Sequence, residues 1–156
     1  MSIPDQMAFL AGEWLGVNRL WQTPDAPAVV SEAEADVALA AQGKFLAVQY
    51  TWVYADVIQE GLLLIGCEPE SGTASAAWVD AWHNGDRMMN CRGTLRPDGS
   101  ILVAGTYPAT GGPDWGWWIV LEALDENQFK MIYKETVICF LFFMQNLTKL
   151  TENNHA

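Results

Sequence analysis

The sequence predicts an all-β protein, a closed antiparallel up-and-down barrel of about ten strands preceded by a short helix. Turn-forming residues recur at short, regular intervals from residue 23 onward. The segments between them are rich in Val, Ile, Thr, Tyr, Phe and Trp, which favour strands. Every connection is too short for a parallel crossover, so neighbouring strands should be antiparallel. Closure into a barrel removes the two edges that such a sheet would otherwise expose, and an open sandwich is the alternative.

The N-terminal segment has the signals of a short helix. Pro4 suits a first helical turn, Asp5 favours the positive end of the helix dipole, and Gly12 ends the segment. Three apolar residues at helical spacing, Met7, Leu10 and Ala11, give the segment one apolar face, so the helix must lie on something larger.

Ten strands follow between the turns. Asn84-Gly85 and Asp98-Gly99 are the sharpest hairpin signals, because both pairs tolerate a positive φ. The segment 29–40 is rich in Ala and Glu and could be helical by propensity, but its strict polar–apolar alternation favours a strand. The predicted strands are 13–22, 29–40, 44–55, 58–67, 73–83, 86–96, 99–107, 115–124, 127–136 and 139–150.

Composition restricts the class of protein. A chain of 156 residues fits one domain, here residues 1–150, with a polar tail at 151–156. With 51% hydrophobic residues, intrinsic disorder is excluded. A formal net charge of -11 without a basic cluster argues against nucleic acid and anionic membranes as partners.

The sequence also predicts the cellular compartment and the state of the cysteines. The N-terminus lacks the features of a secretory signal, and the longest apolar run, 137–144, is too short to span a membrane, so we expect a cytoplasmic protein. The three cysteines, Cys67, Cys91 and Cys139, have no C-x-x-C spacing and are expected to be free thiols. Only two histidines exist, and neither lies at ligand spacing from a cysteine, so no metal is predicted.

Aromatic strand faces with few polar groups predict a small-molecule cavity inside the barrel. A ten-stranded barrel encloses more space than an eight-stranded one, which can hold one small ligand. The ligand is expected to be apolar or aromatic, and no cofactor is predicted. The alternative is that the rings simply fill the core. The candidate ligand-binding residues are Tyr50, Trp52, Trp78, Asp80, Trp82, Asn90, Arg92, Trp117 and Tyr133.

Asp80 is the one acidic residue in a strongly aromatic segment. Burying a carboxylate without a partner is costly, and Arg92 is the expected counter-ion. If Asp80 faces the cavity, burial should raise its pKa, and it could act as a general acid or base while Arg92 or Tyr50 orients a substrate. A small acid/base enzyme is therefore the second functional hypothesis, although no Ser/His/Asp motif or phosphate loop supports it.

The segment Leu10-Ala11-Gly12-Glu13-Trp14-Leu15-Gly16 resembles the Gly-x-Trp entry of the calycin superfamily, which includes lipocalins and fatty-acid-binding proteins. More specifically, it resembles a family of uncharacterised bacterial lipocalin-like proteins, with further matches at residues 43–46, 61–66 and 77–80. The resemblance implies a closed barrel and no established activity. It also implies that Trp14 packs against a cation from the last strand, where Lys149 is the nearest match. We assign structural roles to Gly12, Trp14, Gly16 and Lys149.

Nitrobindin-like haem barrels give a further alternative, since residues 45–52 resemble their third strand. Their haem iron is held by a His near the end of the last strand, but Gln145, Asn146 and Leu147 occupy those positions here. Haem would have to bind through His83, beside the Asn84-Gly85 turn.

An apolar stripe near the C-terminus suggests a third functional reading. Phe140, Phe142 and Met144 alternate along the last predicted strand and could pair two barrels as a homodimer.

Overall fold

The computed structural model describes residues 5–23, 25–68, 70–108, 110–135 and 142–150. A single helical turn, α1, is followed by ten strands that lie close to the predicted ranges. The elements are α1 Asp5–Ala8, β1 Gly12–Trp21, β2 Val29–Ala40, β3 Phe45–Tyr54, β4 Val57–Glu68, β5 Thr73–Asp80, β6 Met89–Leu95, β7 Ile101–Tyr107, β8 Trp115–Asp125, β9 Gln128–Glu135 and β10 Phe142–Lys149.

The strands form a closed antiparallel barrel. Each strand pairs with the next along the chain, and β1 pairs with β10 from Trp14↔Lys149 to Trp21↔Phe142. The prediction of a closed ten-stranded up-and-down barrel is confirmed. The Ala/Glu-rich segment 29–40 is a strand, because its alternation places Ala33, Ala35 and Val37 in the core and acidic residues outside.

The two ends of the barrel differ. Connections after the odd-numbered strands lie at one end, called here the open end, and α1 lies at the other, the closed end. At the closed end the Trp14 indole donates to the Leu10 carbonyl at 2.8 Å and packs edge-on against Phe129. Lys149 Nζ lies 5.6 Å from the Trp14 ring centroid and donates to the Phe9 carbonyl at 2.8 Å.

Two glycines shape this end of the barrel. Gly12 has a φ of 138°, and a Cβ there would press against Lys149 Cε. Gly16 occupies an inward position of β1, between Ala33 of β2 and Leu147 of β10.

Aromatic rings fill the middle of the barrel. Trp78 stacks on Trp117 and Tyr133, with ring centroids 5.3 and 5.1 Å apart, and Tyr50 lies 6.2 Å from Tyr133. Tyr50, Trp52, Trp78 and Tyr133 are each at most 1% exposed. These rings pack on one another and close the middle of the barrel.

Two predicted cavity residues lie elsewhere. Asn90 and Arg92 are exposed on the outer wall, because Met89 and Cys91 take the inward positions of β6. This corrects the expectation that they face the barrel interior, and it removes Arg92 as the counter-ion of Asp80. Strand β5 also ends three residues earlier than predicted, at Asp80, where the carboxylate binds the backbone of the following turn.

The described residues also test the predictions for the cysteines and for membrane-spanning helices, but not the prediction for the C-terminal apolar stripe. Cys67 and Cys91 are free and buried, whereas Cys139 lies outside the described residues. Phe140 also lies outside them, as do the side chains of Phe142 and Met144, so the proposed dimer stripe stays a prediction. None of the helices in the described ranges is long and apolar enough to cross a membrane.

Candidate functional site

A pocket of about 430 Å³ opens at the open end of the barrel, between the β5–β6 and β7–β8 connections. Its wall combines indole and phenol rings with a histidine and one cation, Arg87. Its volume falls in the range typical of small-molecule sites. The residues that line it are Trp78, Trp82, His83, Asn84, Arg87, Met88, Met89, Thr106, Tyr107, Pro108 and Trp117.

The Asp80 carboxylate lies directly beneath this pocket and is the centre of a buried polar network. It accepts five hydrogen bonds from described residues. Oδ2 accepts from the Tyr50 hydroxyl at 2.9 Å and from the Trp52 indole at 3.3 Å. Oδ1 accepts from the backbone amides of Trp82 and His83, at 3.0 and 2.9 Å. A buried carboxylate bound in this way is fully hydrogen-bonded and rigidly placed.

A glycine allows Tyr50 to reach Asp80. In register, Gly61 of β4 lies between Tyr50 of β3 and Asp80 of β5. A Cβ at Gly61 would overlap the Tyr50 ring carbons and its hydroxyl oxygen. Because Gly61 has no side chain, the Tyr50 phenol leans across β4, donates to Asp80 and accepts from the Trp78 indole at 2.8 Å.

His83 is the fifth donor to Asp80, and its ring forms part of the pocket wall. Its Nδ1 lies 2.9 Å from Asp80 Oδ1, and its side chain is only 4% exposed. The ring is enclosed by indoles, with centroids 5.6 Å from Trp52, 4.8 Å from Trp82 and 5.2 Å from Trp117. An imidazole held on one nitrogen by a buried carboxylate has the geometry of an oriented acid/base group.

A second buried acid contacts the pocket wall through Tyr107. Glu135, at the end of β9, accepts a hydrogen bond from the Tyr107 hydroxyl and is 2% exposed. Its cross-strand neighbour is Trp117. Glu135 Oε2 and Trp117 Nε1 are both buried and make no hydrogen bond within the described part of the chain. Unpaired buried polar atoms beside a pocket are suited to a polar group of a bound molecule.

The sequence model of one protein family matches residues 5–137, a range that contains nine of the ten strands and every residue of this site. The chain belongs to the family described as "Protein of unknown function (DUF1579)". No curated protein is significantly similar to it in sequence. Within this DUF1579 chain, the functional conclusion therefore depends on the site itself.

The two carboxyl groups of the DUF1579 site have opposite pKa shifts. Burial acts to raise the pKa of Asp80, but hydrogen bonds and charge from His83, with a further bond from Tyr50, outweigh it and hold that pKa below its ordinary value. The expected rise in the pKa of Asp80 is therefore wrong. Burial does raise the pKa of Glu135, against the smaller opposing effects of the Tyr107 hydrogen bond and the His83 charge.

The predicted binding residues divide into three groups in the DUF1579 fold. Trp78, Trp82 and Trp117 line the pocket. Tyr50, Trp52, Asp80 and Tyr133 form the layer beneath it, through hydrogen bonds and ring contacts. Asn90 and Arg92 instead border a depression of about 580 Å³ on the outer wall. That depression is larger, but no indole, phenol or histidine is among the residues that line it, so the open-end pocket is the better candidate.

The sequence analysis did not identify His83 as the partner of Asp80, and it did not single out Arg87, Tyr107 or Glu135 as binding residues. Strict alternation put His83 on the face opposite Asp80, because the strand was extended to residue 83. A signal for the correct placement exists, since an Asp four residues before Asn84-Gly85 can accept the backbone amides two and three residues after it and start a turn. Tyr107 and Glu135 carry no local signal, because each ends its strand and they meet only through the barrel.

Proposed function

We propose that this protein binds a small, flat, largely apolar molecule in the open-end pocket, in the manner of lipocalin-like carriers. The observation that carries the proposal is the wall of Trp78, Trp82, Tyr107 and Trp117 around about 430 Å³ of space. Indole faces favour aromatic and other planar guests through stacking and burial of apolar area.

Two sets of polar groups in or beside the pocket favour a bound molecule that carries a polar atom at one or both of its ends. At the pocket wall, Trp117 Nε1 is a buried donor, and on the neighbouring strand Glu135 Oε2 is a buried oxygen, both without a hydrogen bond in the described part of the chain. A guest oxygen would satisfy the indole N–H and gain a hydrogen bond. At the rim, Arg87 is an exposed cation in a chain of net charge -11 and can receive a carboxylate or sulfonate.

Binding is tested with 8-anilinonaphthalene-1-sulfonate, which joins aromatic rings to one anionic group. The protein should bind it saturably and with one-to-one stoichiometry while keeping cooperative unfolding, which excludes the loose binding shown by molten globules. Trp82→Ala should weaken binding about tenfold, because it removes about 1.4 kcal/mol of ring contact.

Two matched variants locate the site. Trp118→Ala removes an indole that is 44% exposed on the outer face of the strand that carries Trp117, and it should leave affinity unchanged. Arg92→Ala alters the outer depression and should also have no effect. If Arg92→Ala abolishes binding and Trp82→Ala does not, the guest lies on the outer wall and the proposal is wrong.

A further inference from the structure

We propose that the open-end pocket is also a proton-transfer site, in which His83 takes a proton from a carbon next to a carbonyl group of the bound molecule. This inference rests on the proposed binding function and assigns it a substrate class, planar aryl ketones and related carbonyl compounds. His83 is the catalytic base, and Asp80 is the positioning residue that holds it.

The contact with Asp80 determines which nitrogen of His83 carries the proton. Asp80 is surrounded by donors, so its carboxylate is ionised and only accepts hydrogen bonds. The ring nitrogen 2.9 Å from Oδ1, Nδ1, must therefore be the protonated one. In the neutral imidazole the lone pair is then on Nε2, on the other edge of a ring that forms part of the pocket wall.

The surroundings keep this base in place. Asp80 binds both the backbone amide and the ring of His83, at 2.9 Å each. Trp52, Trp82 and Trp117 enclose the ring, so rotation away from Asp80 would displace indoles. A base that is already oriented needs no reorganisation when a substrate binds.

The charges also suit proton abstraction. The step starts from a carboxylate paired with the neutral form of the imidazole. Once His83 has gained a proton, the imidazolium lies next to the Asp80 carboxylate, which stabilises it. The acid beside the pocket, Glu135, accepts from Tyr107 and interacts favourably with a charged His83.

A donor is available for the negative charge that forms on the substrate. When the C–H bond breaks, its proton moves to Nε2 and its electron pair forms the C=C bond of an enolate, while the carbonyl π electrons move to oxygen. Trp117 Nε1 is a buried N–H in the pocket wall with no acceptor in the described part of the chain. It can donate to this enolate oxygen. His83 then returns a proton to the same or another carbon, so the step is a redox-neutral enolisation or isomerisation.

The test uses 2-tetralone, a flat aryl ketone with acidic benzylic hydrogens, in D2O. Proton NMR follows exchange of those hydrogens, and saturation transfer in the same sample reports binding. The wild-type protein should accelerate exchange saturably, and His83→Gln should lower that rate about 100-fold or more, the usual contribution of a general base. Trp118→Ala, on the outer wall, should change neither signal.

Further measurements separate catalysis from folding. Near-ultraviolet circular dichroism checks the packing of each variant, and added imidazole should partly restore exchange in His83→Ala. Nitrogen-15 shifts of the His83 ring should show protonated Nδ1 and unprotonated Nε2, and Asp80→Asn should alter that pattern together with the exchange rate. Unchanged shifts and exchange in folded Asp80→Asn would refute the positioning role.

The outcomes distinguish this inference from the proposed function. Saturation transfer without accelerated exchange, or exchange that persists in folded His83→Gln, overturns proton transfer and leaves binding standing. A protein that binds 8-anilinonaphthalene-1-sulfonate but not 2-tetralone overturns the substrate class. A protein that binds neither probe overturns both proposals.

Discussion

Replacing Gly61 by Ala should strongly destabilise the protein, because the added methyl group would occupy the space of the Tyr50 phenol. The new Cβ would overlap Tyr50 Cζ, Cε2 and the hydroxyl oxygen. The ring cannot easily move, since it is 1% exposed and lies 6.2 Å from the Tyr133 ring centroid. Overpacking of this kind costs about 1–3 kcal/mol.

The loss of a buried hydrogen bond adds to the cost of overpacking. If the ring shifts to admit the methyl group, the Tyr50 hydroxyl loses its 2.9 Å hydrogen bond to the Asp80 carboxylate. A hydrogen bond to a charged group contributes about 1.5–3 kcal/mol. The free energy of unfolding should therefore fall by about 2.5–6 kcal/mol. Urea denaturation should show the midpoint lowered by about 1–3 M with the slope unchanged.

Two comparisons make this prediction specific. Gly112→Ala places a methyl group where no atom lies within 4 Å, and its midpoint should match the wild type. In a Tyr50→Leu background the methyl of Gly61→Ala should enter the vacated space, so the two substitutions should couple by about 2 kcal/mol. A cost below about 0.5 kcal/mol for Gly61→Ala, or an equal cost in both backgrounds, would refute the reasoning.

Three further predictions follow from the buried ionisable groups. The pKa of Asp80 lies below its ordinary 3.8, so the carboxylate stabilises the fold above that pH and this is lost as the pH falls through the folded-state value. Asp80→Asn should thus reduce the fall in the free energy of unfolding as the pH is lowered below 3.8 in urea titrations, and a curve parallel to the wild type would contradict this. The pKa of Glu135 is raised, so stability falls as the pH rises through it. Glu135→Gln should raise Tm more at about pH 8 than at about pH 4, and an equal gain at both would contradict this. Burial raises the pKa of Cys67 and Cys91 to about 11, so native Cys139→Ser protein should react with a thiol reagent at least about 100-fold more slowly than in urea. Rapid reaction of the native form would show that these thiols are accessible.

Most of the fold could be predicted because its determinants are local. Alternation of polar and apolar residues defines β2, although its Ala/Glu composition favours a helix, and short turns enforce antiparallel neighbours. The aromatic residues of the pocket could also be predicted, since Trp78, Trp82 and Trp117 lie in strongly apolar strand segments or beside one. The same alternation places Asn90 and Arg92 on one face of β6, but it does not determine which of the two faces of the strand points into the barrel.

By itself, the sequence determined the strand pattern, the antiparallel order and the abundance of indoles near one buried acid. Only the tertiary structure decided that Asp80 pairs with His83 rather than Arg92, and that Glu135 meets Tyr107. The physical reason is that strand alternation acts over neighbouring residues, whereas these contacts depend on where β5 ends and how the barrel closes. The Asp80 carboxylate accepts the backbone amides two and three residues after it, which redirects the chain and brings His83 inward.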